Sequence, residues 1–327
     1  MEAFIRKMAP VAGLLVLAPF VGEYLLGNIS VRELLALPFL VPMYGAGALL
    51  IREVVRRAGY GWPAVLLLGA AYGVVEAGLA DQSLFNPAFE GHDFQSVTPV
   101  PALGISALNA MSFVTGHAVW SIALPIALVE HLTPARRRTP WLGPAGLVVT
   151  ALAYMGGLWI IFKELHDSSG FLATPAQLTG AAVVAALLVV AAFLTRRPGA
   201  RPAVRDGWVP GTWLVGAGGF VLSGAFVARP ESWAGVWIGA ALLALAAAVV
   251  SRLARSPQWT QGRHIALVGG VLLTYAWLGF VLTWLTRPDD PVRWWGNAGF
   301  ALAAVALLTW CGRVQRRRDG CNAGETG

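Results

Sequence analysis

The chain has 327 residues, of which 57% are hydrophobic and only 13% are Asp, Glu, Lys or Arg, and its mean hydropathy is +0.63. A soluble domain carries about a quarter of its residues as charges, so this composition excludes a water-soluble fold and makes lipid the solvent. The net charge of +7 does not point to nucleic acid, because the Arg residues fall in short clusters between apolar runs, the pattern by which a membrane protein records its orientation.

Ten apolar stretches reach the roughly 20 residues needed to cross the hydrocarbon layer: 9–27, 33–51, 62–80, 107–130, 142–162, 176–195, 209–228, 233–250, 264–285 and 294–312. They do not alternate as barrel strands must, so the expected fold is all-α, a polytopic membrane bundle of about ten helices. The first stretch follows Arg6 and Lys7 and reads as an uncleaved helix, with no cleavage site and soluble domain after it. Glu23 and Tyr24 lie at its outer end, in FVGEYLLGN. The second holds Pro38 and Pro42, each of which removes a backbone donor and predicts a kink or local break. Gly45 and Gly47 follow and allow close helix packing. Its inner end carries Arg52, Glu53, Arg56 and Arg57, with Glu53 and Arg57 at i,i+4 spacing, and reads as an amphipathic end meeting anionic headgroups.

The third stretch contains Glu76, about one turn from its outer end, in AAYGVVEAGLADQ. The outer segment from Asp81 to Ser106 comes next, interrupted by Pro87, Pro99 and Pro101; its apolar part, 94–107, is expected to lie on the interface or to dip back into the bundle. Asp81, Gln82 and Asn86 make a polar approach to Glu76, and His92 and Asp93 lie further along the segment. The fourth stretch carries His117 near its middle, in NAMSFVTGHAVWS, and ends at Glu130 and His131. His166 and Asp167 follow the fifth, in KELHDSSG, and are expected on the outer side with His92 as wetted loop groups. The later stretches are mainly Ala, Leu, Val, Gly and Trp. Residues 1–195 therefore read as the part holding the working site, 208–313 as supporting helices and 314–327 as a disordered cytoplasmic tail.

With both termini in the cytoplasm, only Arg32, Lys163, Arg229, Arg287 and Arg293 remain outside, and every other basic residue falls inside. A skipped or added helix would invert each later loop and spoil this asymmetry. The scarcity of Lys beside abundant Arg, Ala and Gly fits a GC-rich bacterial genome, hence a bacterial plasma membrane. Trp62, Trp141, Trp208, Trp233, Trp294 and Trp295 stand near the expected interfaces, as an aromatic belt does. Cys311 and Cys321 lack CxxC spacing, so neither a disulfide nor a thiolate metal site is expected.

Glu76 and His117 are the residues on which chemistry would rest. A carboxylate in hydrocarbon is costly and faces the bundle interior or water, where it can hold or donate a proton. A neutral imidazole can serve as base or metal ligand. Glu23, Tyr24, Asp81, Gln82, Asn86, His166 and Asp167 would rim a cavity above them. Each of these residues has a structural alternative, as a hydrogen-bonded packing group or a wetted loop residue. There is no HExxH, GxSxG or P-loop, so zincin, hydrolase-elbow and nucleotide-driven mechanisms have no support.

Phe113-Val114-Thr115-Gly116-His117 fits a Phe-x-x-x-His pattern, and Glu76 precedes it in Val75-Glu76-Ala77-Gly78-Leu79-Ala80. In these residues the stretch 62–170 resembles the CAAX-protease and bacteriocin-processing class of intramembrane proteins. That class carries Glu-Glu-x-x-x-Arg first; Val75 and Ala80 stand here where it has the leading Glu and the Arg. The third motif is not matched either, since Asp167-Ser168-Ser169-Gly170 follows His166. The resemblance implies a helical bundle in which a glutamate-activated water attacks a peptide bond.

Three functional classes follow from the residues. The first is an enzyme acting on a lipidic, isoprenoid or membrane-peptide substrate through Glu76 and His117. The second is a proton-coupled transporter in which Glu76 binds and releases the proton. The third is a scaffold whose buried polar residues fix helix packing. Membrane lipids are the expected partners, nucleic acid is not, and the sequence assigns no cofactor or metal.

Overall fold

The computed structural model describes residues 2–89, 91–195 and 208–324, with side chains from 7 to 317. Arg196, Arg197, Arg201 and Arg205, counted above as inner charges, lie outside the described residues, as do the side chains of Arg6, Arg318 and Cys321. Ten helices follow in order: α1 (Glu2–Pro19, continued by a π turn, Phe20–Tyr24), α2 (Val31–Arg57), α3 (Trp62–Ala80), α4 (Ala107–Leu132), α5 (Pro144–Ser169), α6 (Pro175–Leu194), α7 (Thr212–Val227), α8 (Trp233–Leu253), α9 (Gln261–Thr286) and α10 (Pro291–Gly324). Eight of them, all but α1 and α7, are long and apolar enough to cross a membrane. The chain is thus a multi-pass, all-helical membrane protein. The end of the bundle at which Arg136 donates to the Lys7 carbonyl is here called the terminal face; the other is the far face.

Helix starts follow local chemistry. Ser30 and Thr174 form capping boxes with Glu33 and Gln177, and Ser106 accepts the Asn109 N–H at the head of α4. Pro144 and Pro175 open α5 and α6, where their missing N–H would have had no partner. Small residues set the spacing between rods: a Cβ added at Gly45 would collide with the Leu15 backbone, and one at Gly27 would lie 2.8 Å from the Gly279 Cα. One core cluster gathers Leu14, Met43, Tyr44, Tyr72, Ile122 and Ile126 between α1 and α4; a second joins Val21, Trp120 and Leu128 to Leu272 and Phe300 of α9 and α10.

The expected break in α2 is present. The helix opens as 3₁₀ turns over Val31–Ala36 and widens into a π turn at Val41–Gly45, around Pro42. Within residues 94–107, Pro99–Val100 and Ile105–Ser106 pair as a two-stranded antiparallel hairpin before α4 begins. Four expectations need correction. The fifth helix extends to Ser169, so His166 and Asp167 sit in its last turns rather than in a loop. The last helix runs through Gly324, so 314–324 is helical instead of a disordered tail, and 325–327 lie outside the described residues. Arg52 and Glu53 do not meet headgroups; both are fully buried. Trp141 likewise leaves the expected belt and is buried beneath Arg52.

Candidate functional site

Four helices are interrupted by π turns, and each π turn carries one polar side chain of the same cluster. Glu23 lies in Phe20–Tyr24, Tyr44 in Val41–Gly45, Glu76 opens Glu76–Ala80 and His117 opens His117–Ala123. Three of the four turns have a proline within or beside them, Pro19, Pro42 and Pro125, whose absent N–H prevents the regular ladder from closing. A π turn bulges one helical turn outward and re-aims its residues, which is why such turns recur at functional sites.

The side chains meet at the Tyr44 hydroxyl. It donates to Glu23 Oε1 in a very short hydrogen bond, and it lies 3.4 Å from Glu76 Oε1 and 3.5 Å from His117 Nε2. His117 Nε2 stands 3.0 Å from Glu76 Oε2. Its other ring nitrogen, Nδ1, is 2.7 Å from the Phe113 carbonyl. A carbonyl can only accept, so Nδ1 carries a proton and Nε2 is the nitrogen presented to the carboxylate. The far oxygen of Glu23, Oε2, accepts from Asn28 at 3.2 Å. Tyr44 and Glu76 are buried, whereas Glu23 and His117 are partly accessible.

Aromatic rings enclose the polar atoms. Tyr44 stacks on His117 at 6.0 Å, and Tyr72 lies 5.8 Å from His117 and 5.9 Å from Tyr154. Close helix approach depends on glycine here too: a Cβ at Gly22 would sit 2.7 Å from Ser121 Oγ, and one at Gly73 3.0 Å from the His117 Cβ. Among the described residues, Glu76 Oε2 has only this close approach of His117 and no aligned hydrogen bond, and the Tyr72 hydroxyl has no hydrogen-bond partner. Such buried polar atoms are uncommon and call for a reason.

The structure brings Glu76, His117 and Glu23 together, keeps Asp81 within electrostatic reach of Glu76 and His117, and gives the other expected residues partners of their own. Tyr24 turns away, donating to the Glu33 carbonyl at 3.0 Å and packing on Phe300. The Asp81 N–H bonds the Glu76 carbonyl at 2.9 Å, and Asp81, Gln82 and His166 line a small crevice beside the cluster. Gln82 accepts the Ala173 N–H at 2.7 Å, and Asn86 accepts that of Ala88 at 3.0 Å, so both tie loop backbone in place. His166 is held by Phe162 stacking and lies 3.0 Å from the Phe171 carbonyl, and Asp167 pairs with Lys163 at 2.5 Å. His92 stacks on Phe94 in the hairpin loop, and the Ser96 and Gln95 N–H groups hold the neighbouring Asp93 carboxyl below its ordinary range. Tyr44, Tyr72 and Tyr154 belong to the site but escaped sequence reasoning. The usable signal was the tyrosine lodged between Pro42 and Gly45, at the predicted break.

A second polar network lies toward the terminal face, between α2 and α4. Arg52 bonds Glu53 at 2.7 Å, Glu130 at 3.2 Å and the Arg136 carbonyl at 3.0 Å, and its guanidinium lies 3.5 Å over the Trp141 ring. Arg56 grips both oxygens of Glu130 at 2.8 Å, and Glu53 accepts the Trp141 and Leu142 N–H groups. Its charges are mutually compensated, as a structural clamp requires. Nearby, His131 and His264 stack at 5.0 Å and join α4 to α9.

A family model described as "Uncharacterized membrane protein family" matches residues 14–311. No curated protein and no solved structure matches the chain.

Proposed function

The chain belongs to an uncharacterized membrane protein family, and from the geometry of its buried cluster we propose that it is an intramembrane enzyme performing acid–base hydrolysis on a lipidic or membrane-peptide substrate. The observation that carries this reading is the Glu76–His117 contact at 3.0 Å, with His117 locked by the Phe113 carbonyl and Glu76 Oε2 lacking an aligned hydrogen bond. A base oriented by a third group is the usual form of an acid–base pair. In the proposed step Glu76 takes a proton from water as the water oxygen bonds to the substrate carbonyl carbon. That proton passes from Glu76 to His117 Nε2, which delivers it to the departing oxygen or nitrogen as the old bond breaks. Tyr44 links this pair to Glu23, which gives a second place to hold the proton.

The test compares cells lacking the gene and complemented with wild type or Glu76→Gln at matched expression. The amide keeps the carboxylate's shape but cannot exchange the proton, so growth or phenotype should fail while protein level is unchanged. Membrane extracts of the variant should accumulate a species heavier than the wild-type products by what hydrolysis separates. Full complementation by Glu76→Gln would end the proposal. The π turns in α1 to α4 also favour a second reading, a proton-coupled carrier built on discontinuous helices. Proton flux into proteoliposomes that requires Glu76 would select the carrier instead.

A further inference from the structure

At the far face, α2 and α10 leave between them an apolar groove of about 490 Å³, lined by Val31, Val292, Trp295, Gly296, Gly299 and Phe300. The groove is shallow and open, and its exposed lining is mostly apolar. Two glycines shape it. Gly296 lets Val31 approach, since a Cβ there would lie 2.9 Å from its side chain, whereas a Cβ at Gly299 would meet nothing within 4 Å. Trp295 stands 79% exposed on one flank, as a side chain with an apolar body and a polar edge does at an interface. Charged residues adjoin this lining in sequence: Arg32 follows Val31 and pairs with Asp290 at 2.7 Å, and Arg293 follows Val292 and donates to the Gly27 carbonyl at 3.2 Å. Among the described residues Arg293 has no carboxylate partner. The floor is continuous with the buried cluster: Phe300 packs edge-on against Phe20 and Tyr24, each at 5.7 Å, and both belong to the π turn that presents Glu23.

We infer that this groove binds an amphiphile with a phosphate head, its hydrocarbon chain lying along Gly299 and Phe300 and its phosphate on Arg293 and Arg32. An apolar trough alone would take any lipid tail. The Arg293 guanidinium, without a counter-charge and next in the chain to the lining residue Val292, supplies the charge complementarity, because guanidinium forks match phosphate oxygens. Taken as the seat of the substrate, the groove rests on the hydrolytic reading above and narrows its substrate to a phosphate-headed lipid; as a lipid site it stands independently.

The test is native mass spectrometry of the full chain in detergent, titrated separately with phosphatidylglycerol, diacylglycerol and inorganic phosphate. Wild type should hold one phosphatidylglycerol at least about tenfold more tightly than diacylglycerol, with inorganic phosphate a poor competitor. Gly299→Leu should fill the trough and weaken phosphatidylglycerol binding by a similar factor without changing the melting temperature. Arg293→Gln should abolish the preference for the charged head while diacylglycerol still binds. Undiminished binding by Gly299→Leu, or equal affinity of wild type for the two lipids, would overturn the inference. So would effective competition by inorganic phosphate, which would mark an anion site with no chain requirement. Glu76→Gln should bind lipid as wild type does. If the groove fails while Glu76→Gln remains inactive, only the groove is lost. If lipid binding behaves as expected while Glu76→Gln complements fully, only the hydrolytic reading falls.

Discussion

Tyr44 has one hydroxyl proton and three acid–base groups within reach of it, Glu23, Glu76 and His117. Replacing it with Phe keeps the ring that stacks on His117 but leaves Glu23 Oε1 without that donor. An unsatisfied buried acceptor costs about 1–3 kcal/mol, so Tyr44→Phe should lower the melting temperature in detergent. In the proposed reaction it should also reduce activity less than Glu76→Gln does, because the Glu76–His117 contact survives. A variant as stable as wild type would show that the hydroxyl contributes nothing to the cluster. Glu76 and His117 were legible in the sequence because ionisable groups are rare in apolar helices and costly there. Tyr44 was not, since a tyrosine in a membrane segment is chemically ordinary until a neighbour gives its hydroxyl a task. Glu23 was legible as a group near the site, but its bond to Tyr44 from a π turn was not.

At the scale of elements, spans were readable and distortions were not. Apolar length located the helices, although the first begins earlier than its apolar stretch, at Glu2, and the fifth and last end later, at Ser169 and Gly324. Pro42 announced the break in α2. The π turn at Glu76 has no proline beside it; it follows the close approach of α3 to α4 at Gly69 and Gly73, which no local pattern encodes. The buried Arg52–Glu53–Glu130 network was misread for a related reason: an amphipathic helix end looks the same whether its charges meet headgroups or another helix. Close packing supplies the prediction at this scale. A methyl at Gly45 would overlap the Leu15 backbone where α1 passes α2, next to Tyr44. Gly45→Ala should therefore destabilise by about 1–3 kcal/mol, the usual cost of overpacking, and should disturb the cluster. Gly299→Ala, which adds the same methyl in open space, should be neutral. Thermal melts of the two variants side by side check this, and equal stability would refute the packing argument.

For the whole molecule, the basic residues lead the sequence to expect both termini in the cytoplasm, and labelling tests that expectation directly. Single cysteines at Ser96, Ser168 and Asp289 should react with an impermeant maleimide in intact cells, while cysteines at Arg138, Ser256 and Gln315 should react only after permeabilisation. Reproducible labelling from outside at any one of the latter three would remove the arrangement. The hydrogen-bonded groups of the cluster come from α1 to α4, and α5 adds Tyr154 against Tyr72. The later helices still reach it indirectly, through Trp120 stacked 4.4 Å from Tyr275 and Phe300 against Tyr24.

The arginine clamp has a consequence for how the protein is made. Arg52 and Glu53 of α2 are satisfied by Glu130, the Arg136 carbonyl and the Trp141 N–H, all of which leave the ribosome long after α2 does. Until then only Arg52, Glu53 and Arg57 of α2 itself can compensate one another. A nascent chain arrested after α3 would leave Arg52 and Arg56 without Glu130, so it should be cleared faster than the full-length protein, and a pulse–chase comparison of the two would show it.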